Sequence, residues 1–184
     1  MSKNFFTADQ HFFHWNMNTY ASREFKTLED MNETMIRNHN ARVKEEDNCF
    51  HIGDFIFRNS KGGKSGEGEP VKVFEFKKRL NGNNIFIGGN HCHNNGNKTP
   101  IESLVIRYAG KRINLVHNPD YANLNYEINL VGHVHNLWKF KRIVSGARIT
   151  DCINVGVDVN NFMPRTFEEL YGEYCKWKKK EGLK

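Results

Sequence analysis

No apolar run in this chain approaches the roughly 18 residues that a helix needs to cross a bilayer, and no signal-peptide pattern is present. Both absences lead to the expectation of a cytoplasmic protein with no membrane partner. Cysteine is scarce. Cys49, Cys92, Cys152 and Cys175 lie far apart with no CxxC pair, so free thiols are expected in place of a disulfide framework or a zinc knuckle. Proline occurs only four times, and there is no internal repeat and no convincing linker. The 184 residues are therefore expected to form a single domain, 1–184, with a substantial core. The one low-complexity stretch, "RNSKGGKSGEGEP" at 58–70, reads as a loop. Its "GGKS" fails as a phosphate-binding loop, because Arg58 stands where the pattern needs glycine and Gly66, Gly68 and Pro70 interrupt the helix that must follow.

What the chain does have is 14 phenylalanines, nine histidines and an excess of base, with 27 Lys and Arg against 21 Asp and Glu. The net charge of +6 favours anionic partners without specifying any. Part of the base lies in the tail "CKWKKKEGLK", which reads as a solvated terminus.

Apolar runs alternate with helical patterns. Strands are expected at "NFFTAD", "CFHIGD", "NIFIGGN", "YEINLVGH" and "CINVGVDV", and a hairpin at "SLVIRY"–"AGK"–"RINLVH". Helices are expected over "TLEDMNETMIRNHNARV", capped by Thr27, over "VKVFEFKKRL", and over "TFEELYGEYCKW", where Thr166 and Glu169 form a capping box and Leu170, Tyr174 and Trp177 face inward. Early strand–helix alternation followed by hairpins implies a layered, mixed α/β domain.

The apolar runs share one habit: each leaves its strand into glycine, aspartate, asparagine or histidine. The exits supply Asp9 and His11, then Asp54, then Asn90 and His91, then His117, then His133 and His135. Loops at the carboxyl ends of strands converge on one crevice, so these residues can meet. Glycines before Asp54, Asn90 and His133 allow a sharp turn and a close approach to an ion. Imidazole with carboxylate and amide oxygen suits Mn, Fe, Ni or Zn rather than Ca. Even seven of these eight as ligands exceed the needs of one tetrahedral ion and fit two ions sharing a carboxylate.

The ordered set D-x-H (Asp9, His11), G-D (Gly53, Asp54), G-N-H (Gly89, Asn90, His91), His117 and G-H-x-H (Gly132 to His135) resembles the calcineurin-like metallophosphoesterases. "TADQHFFHWN", "MNETMIRNHNARV", "FHIGDF", "LVHNP" and "NVGVDVNNFMPRTFEEL" look like segments of a small bacterial and phage-type branch. The resemblance implies a four-layer α/β/β/α sandwich with mixed sheets and a dinuclear metal centre. It implies that Asp9, His11 and His135 hold one divalent transition-metal ion, that Asp54 bridges, and that Asn90, His117 and His133 complete the second. His91 would be the non-ligand residue that assists the leaving oxygen. The implied reaction is hydrolysis of a phosphate ester by a metal-bridging hydroxide, with nucleotides and nucleic acids among the candidate substrates. A formal charge count (two divalent ions, two aspartates, one hydroxide) leaves +1 and favours a monoanionic phosphodiester. The alternatives are a phosphomonoesterase on a small nucleotide or sugar phosphate and a non-catalytic scaffold of the same fold.

One position departs from the family pattern. Cys92 stands where an acidic residue usually follows G-N-H and could orient His91; a zinc knot of Cys92 and His93 lacks further ligands at knuckle spacing. His14 either lines the phosphate pocket or packs beside Trp15. His51 is expected to be structural and His39 to be a surface or cap residue; Asp158 falls at a late strand end, where a turn explains it as well as a site role does.

Overall fold

A computed structural model describes residues 2–57 and 72–183. The glycine-rich stretch 58–70 therefore lies outside the described residues. The strands are β1 (Asn4–Thr7), β2 (Asn48–Ile52), β3 (Asn83–Ile87), β4 (Ser103–Tyr108), β5 (Lys111–Val116), β6 (Ile128–Val131), β7 (Phe140–Ser145), β8 (Arg148–Asn154) and β9 (Arg165–Thr166). The helices are α1 (Met17–Tyr20), α2 (Leu28–Arg42), α3 (Val73–Lys77) and α4 (Phe167–Lys180). One sheet has the order β3-β2-β1-β9 and the other β4-β5-β6-β8-β7. Both are mixed. In the first, β1, β2 and β3 are parallel and β9 is antiparallel; in the second, β5, β6 and β8 are parallel between antiparallel edges β4 and β7.

Strand alternation decides which face meets which. Phe6, Ala8, Ile52 and Ile87 of the first sheet share a buried core with Ile113, Leu115, Ile128, Leu130 and Ile153 of the second. Burying one such side chain fully is worth ~1.5–3 kcal/mol, so this seam dominates the fold's stability. The opposite face of the first sheet is covered by α2 and α3, whose Met31, Met35, Val73 and Phe76 join Phe12, Phe55 and Ile56. On the outer face of the second sheet, Asn123 and Tyr126 bond to Asn129 and Thr150. Helix α4 contributes Phe167, Leu170 and Tyr174 to the intersheet core and lies near the starts of β5 and β8. There Lys111 stands over the Tyr171 ring and the Tyr174 hydroxyl donates to Asp151. The parallel strands thus end together at the other side of the molecule.

Local chemistry explains the boundaries. Thr27 accepts the Asp30 N–H at the start of α2, and Thr166 forms a full capping box with Glu169 at the start of α4. Ala109 and Gly110 both take positive φ (50° and 74°), as a two-residue hairpin between β4 and β5 requires. Trp177 is only partly buried, unlike Leu170 and Tyr174. The strand expected over "CINVGVDV" stops at Asn154, because the Asn154 side chain accepts the Gly156 N–H and Val157–Val159 turns into a 3-10 helix. Strand β7 had no clear apolar alternation; it is an edge strand joined to β8 by the Arg142–Asp151 pair, with two bonds of 2.8 Å.

Candidate metal centre

The strand exits do converge. Asp9 and His11 follow β1, Asp54 follows β2, His117 follows β5, and His133 and His135 follow β6. Five of them take φ in the left-handed region: Asp9 58°, His11 48°, Asp54 43°, His133 72° and His135 46°. Such a conformation costs a non-glycine residue ~1–3 kcal/mol and persists only where the surroundings enforce it. Here the enforcement is visible. The His11 N–H donates to the Asp54 carbonyl (2.9 Å), and the His133 N–H donates to Asp9 Oδ2 (2.8 Å). The His91 N–H donates to Asp54 Oδ1 (2.9 Å).

The glycines of the motifs are explained by contact. A Cβ on Gly53 would overlap the His117 imidazole, and one on Gly89 would overlap Asp54. A Cβ on Gly132 would lie 2.6 Å from Asp9 Oδ2.

Two sets of ligand atoms lie close enough to share an ion: Asp9 with His11 and His135, and Asp9 with Asp54 and His117. Asp54 Oδ2 stands 3.6 Å from His11 Nε2 and 3.2 Å from His117 Nε2. Atoms bound to one cation at ~2.0–2.2 Å stand about 3–3.5 Å apart, so these are separations a metal would impose. His133 is close to the second set, its ring centroid 5.2 Å from that of His117. Asn90 is exposed at the turn after β3 and lines a cavity together with His117.

The donors fit a cation on chemical grounds as well. Asp9 Oδ1, both nitrogens of His11 and His117 Nε2 are buried without a hydrogen-bond partner. Leaving such atoms unpaired is costly, and cations at this centre would take up Asp9 Oδ1, one nitrogen of His11 and His117 Nε2. His117 Nδ1–H donates to the Ile52 carbonyl (2.9 Å), which directs Nε2 toward Asp54.

Burial pushes the Asp9 carboxyl up to about 6, against the pull of His117 and His135. Burial works against the charged form of His117 too, but Asp54 and Asp9 outweigh it and raise that imidazole to about 9. Burial likewise opposes the Asp54 carboxylate, yet His117, His11 and the His91 N–H hold it well below the usual range. His11 is driven well below its ordinary value, chiefly by burial.

Arg23, which the sequence did not single out, and Asp158 support this centre. Arg23 is 2% exposed. It donates to both Asp158 oxygens (2.7 and 3.2 Å), to the Asp9 carbonyl (2.6 Å) and to the Gln10 carbonyl (2.8 Å). Asp158 also accepts from His135 Nδ1 (2.9 Å), which leaves His135 Nε2 for a cation. Asp158, left open by the sequence between a turn and a site role, therefore orients a candidate ligand. Its position after β8 was the available signal; Arg23 had none, lying in a loop between helices.

The Cys92 thiol is buried and accepts from the Gly89 N–H (3.2 Å), with Asn97 Nδ2 at 3.6 Å. It braces the G-N-H turn, while His93 is exposed. His91 is exposed beside His11, with centroids 5.6 Å apart. His14 is buried and stacks on Phe57 (4.1 Å), 5.5 Å from His11. His51 is buried between Gln10 and Asn84. His39 is not on the surface as expected: it is buried in α2, bonded to the Asn81 carbonyl and stacked on His51.

No family model matches the chain. The uncharacterized protein MJ1445 of Methanocaldococcus jannaschii is 34% identical over 167 residues, which cover 89% of this chain and 86% of that protein. The chain belongs to the MJ1445 family. A solved protein of unknown function from Aquifex aeolicus, AQ665, is 23% identical and aligns over 94% of this chain and 99% of its own, with a TM-score of 0.66. It shares the fold of this MJ1445-family chain. A novel archaeal phosphodiesterase aligns over 84% of this chain and 83% of its own at 16% identity, with a TM-score of 0.39. That overlap is too loose to bear on chemistry, which rests on the side chains described above. Among the described residues, no helix is long and apolar enough to cross a membrane.

Proposed function

We infer that this protein is a metal-dependent phosphoesterase with a dinuclear centre, and that it favours phosphodiesters. The observation that carries the reading is a pair of buried carboxylates: Asp9, common to both sets of donors, and Asp54, whose Oδ2 stands 3.6 Å from His11 Nε2 and 3.2 Å from His117 Nε2. Asp9, His11 and His135 would hold one ion and Asn90, His117 and His133 the other, with Asp54 shared. When bound, two divalent ions supply an activated water and positive charge for the phosphoryl oxygens.

The chain's own residues do the rest. Asp158 and the Ile52 carbonyl fix His135 and His117 in the tautomers that present Nε2. Gly53, Gly89 and Gly132 allow the loops to close to contact distance. His91, held at its backbone by Asp54, stands at the rim beside His11 and Phe57, where it can protonate the departing oxygen. Because the Asp158 charge is balanced by Arg23, only Asp9 and Asp54 count against the cations, and the +1 balance of the site suits a monoanionic diester.

The test is turnover of bis-p-nitrophenyl phosphate against p-nitrophenyl phosphate after loading with Mn, Fe, Ni or Zn. A higher kcat/KM for the diester is expected. A preference for the monoester would make the protein a phosphomonoesterase, and metal uptake without turnover of either would make it a scaffold.

A further inference from the structure

A cavity of about 560 Å³ opens beside the second set of donors. Ligand pockets typically enclose ~300–1,000 Å³, so it can take a group far larger than a phosphate. Its wall includes Asn90 and His117, and beyond them Glu102, Ser103, Asn118 and Tyr121. His91 belongs to the other flank, next to His11 and Phe57. A phosphoryl group over the centre thus has the leaving-group residue on one side and a roomy cavity on the other.

The lining describes what the cavity accepts. None of its described residues is lysine or arginine, and Glu102 brings a negative charge. Asp120 next door adds to that field, since it acts on His133 electrostatically. A second phosphate would be repelled here. Hydroxyls, in contrast, find a carboxylate acceptor in Glu102 and a hydroxyl in Ser103. The Asn118 side-chain oxygen is occupied by the Asp120 N–H (2.9 Å), so its NH2 remains to donate. Tyr121 is 75% exposed at the mouth, and its backbone is fixed in a 3-10 turn by the Asn118 carbonyl. An aromatic ring presented in this way is a stacking platform for a planar base.

We propose that this cavity binds the retained substituent of a phosphodiester, that the substituent is a nucleoside bearing no second phosphate, and that Tyr121 and Glu102 select it. The proposal rests on the phosphodiesterase reading above and adds the substrate class. The oxygen of water adds to phosphorus, and the bond to the leaving oxygen breaks with its electron pair. That oxygen takes up a proton, and the bond to the nucleoside stays intact. The products are an alcohol and a nucleoside monophosphate.

Three esters with one leaving group test it on the metal-loaded protein: thymidine 5′-(p-nitrophenyl phosphate), its 3′-phosphorylated form, and methyl p-nitrophenyl phosphate. The thymidine ester should exceed the methyl ester in kcat/KM by about tenfold or more, and Tyr121→Ala should remove most of that ratio. The 3′-phosphorylated ester should be poorer than its parent, with Glu102→Lys reversing the order. Binding of thymidine monophosphate against methyl phosphate, measured by calorimetry, gives the same comparison without turnover. Equal binding and equal turnover of nucleosidyl and methyl esters, or a ratio unmoved by Tyr121→Ala, would overturn the proposal while leaving a phosphodiesterase. Selective binding of thymidine monophosphate with no hydrolysis of any ester would keep the cavity's role and refute the catalytic reading.

Discussion

Asp158→Asn removes one charge from a nearly solvent-free cluster while preserving its shape. The Asp158 side chain is 1% exposed and accepts two bonds from Arg23 and one from His135. Breaking a buried ion pair at one partner costs ~3–5 kcal/mol, because the other charge stays buried and unpaired. At ~2–4 °C per kcal/mol for a chain of this size, the metal-free melting temperature should fall by about 6–20 °C. The amide accepts at only one of the two positions that Arg23 and His135 share, so the hold on His135 weakens, and loss of such an orienting group lowers metal affinity by ~10–100-fold. Arg23→Met should destabilise similarly and also release the Asp9 and Gln10 carbonyls, loosening the segment that holds Asp9 and His11 at positive φ. The double variant Arg23→Met/Asp158→Leu removes both charges, so it should recover stability relative to the single variants and still bind metal weakly. Thermal melts without metal and calorimetric titration with Mn or Zn separate the two effects. A melting temperature unchanged in Asp158→Asn, or a metal affinity within twofold of the parent, would refute the reasoning.

Gly132→Ala places a methyl 2.6 Å from Asp9 Oδ2, so metal affinity measured by titration should drop at least tenfold, whereas Gly172→Ala on the open side of α4 should raise the melting temperature slightly. Asp54→Asn should lower metal content at both positions by elemental analysis, while His91→Ala should keep metal and slow turnover; equal metal loss in both would show that His91 is a ligand. Burial lowers His51 to about 3, below its unfolded value, so its contribution to stability is complete above pH ~6.5 and is lost as pH falls toward 3. Denaturant melts at successive pH values should show up to ~1.4 kcal/mol per pH unit from this one group, and His51→Gln should flatten that slope.

The parallel strands and the two long helices were legible because their signals are local. Apolar runs end in glycine at Gly53, Gly88 and Gly132, and Thr27 and Thr166 announce helix starts. The metal-ligand candidates were legible because each follows such a run, and the fold brings the carboxyl ends of the runs together. Strand β7 was not, since an edge strand with charged and apolar residues on both faces has no clear period. The pairing of Arg23 with Asp158 escaped because it spans 135 positions and exists only after the chain has closed. His39 was misjudged for a similar reason: helical spacing gives its face but not the Asn81 carbonyl and His51 ring that wait there. Cys92, a departure from the family pattern in sequence, proved to be a brace for the turn that carries Asn90 and His91.

The central claim is tested most directly by counting metal on purified protein reconstituted with Mn and reading the spectrum of the bound ions. The account predicts close to two ions per chain, magnetically coupled as a pair a few ångströms apart, both weakened by Asp54→Asn. A single uncoupled ion, or none, would contradict it.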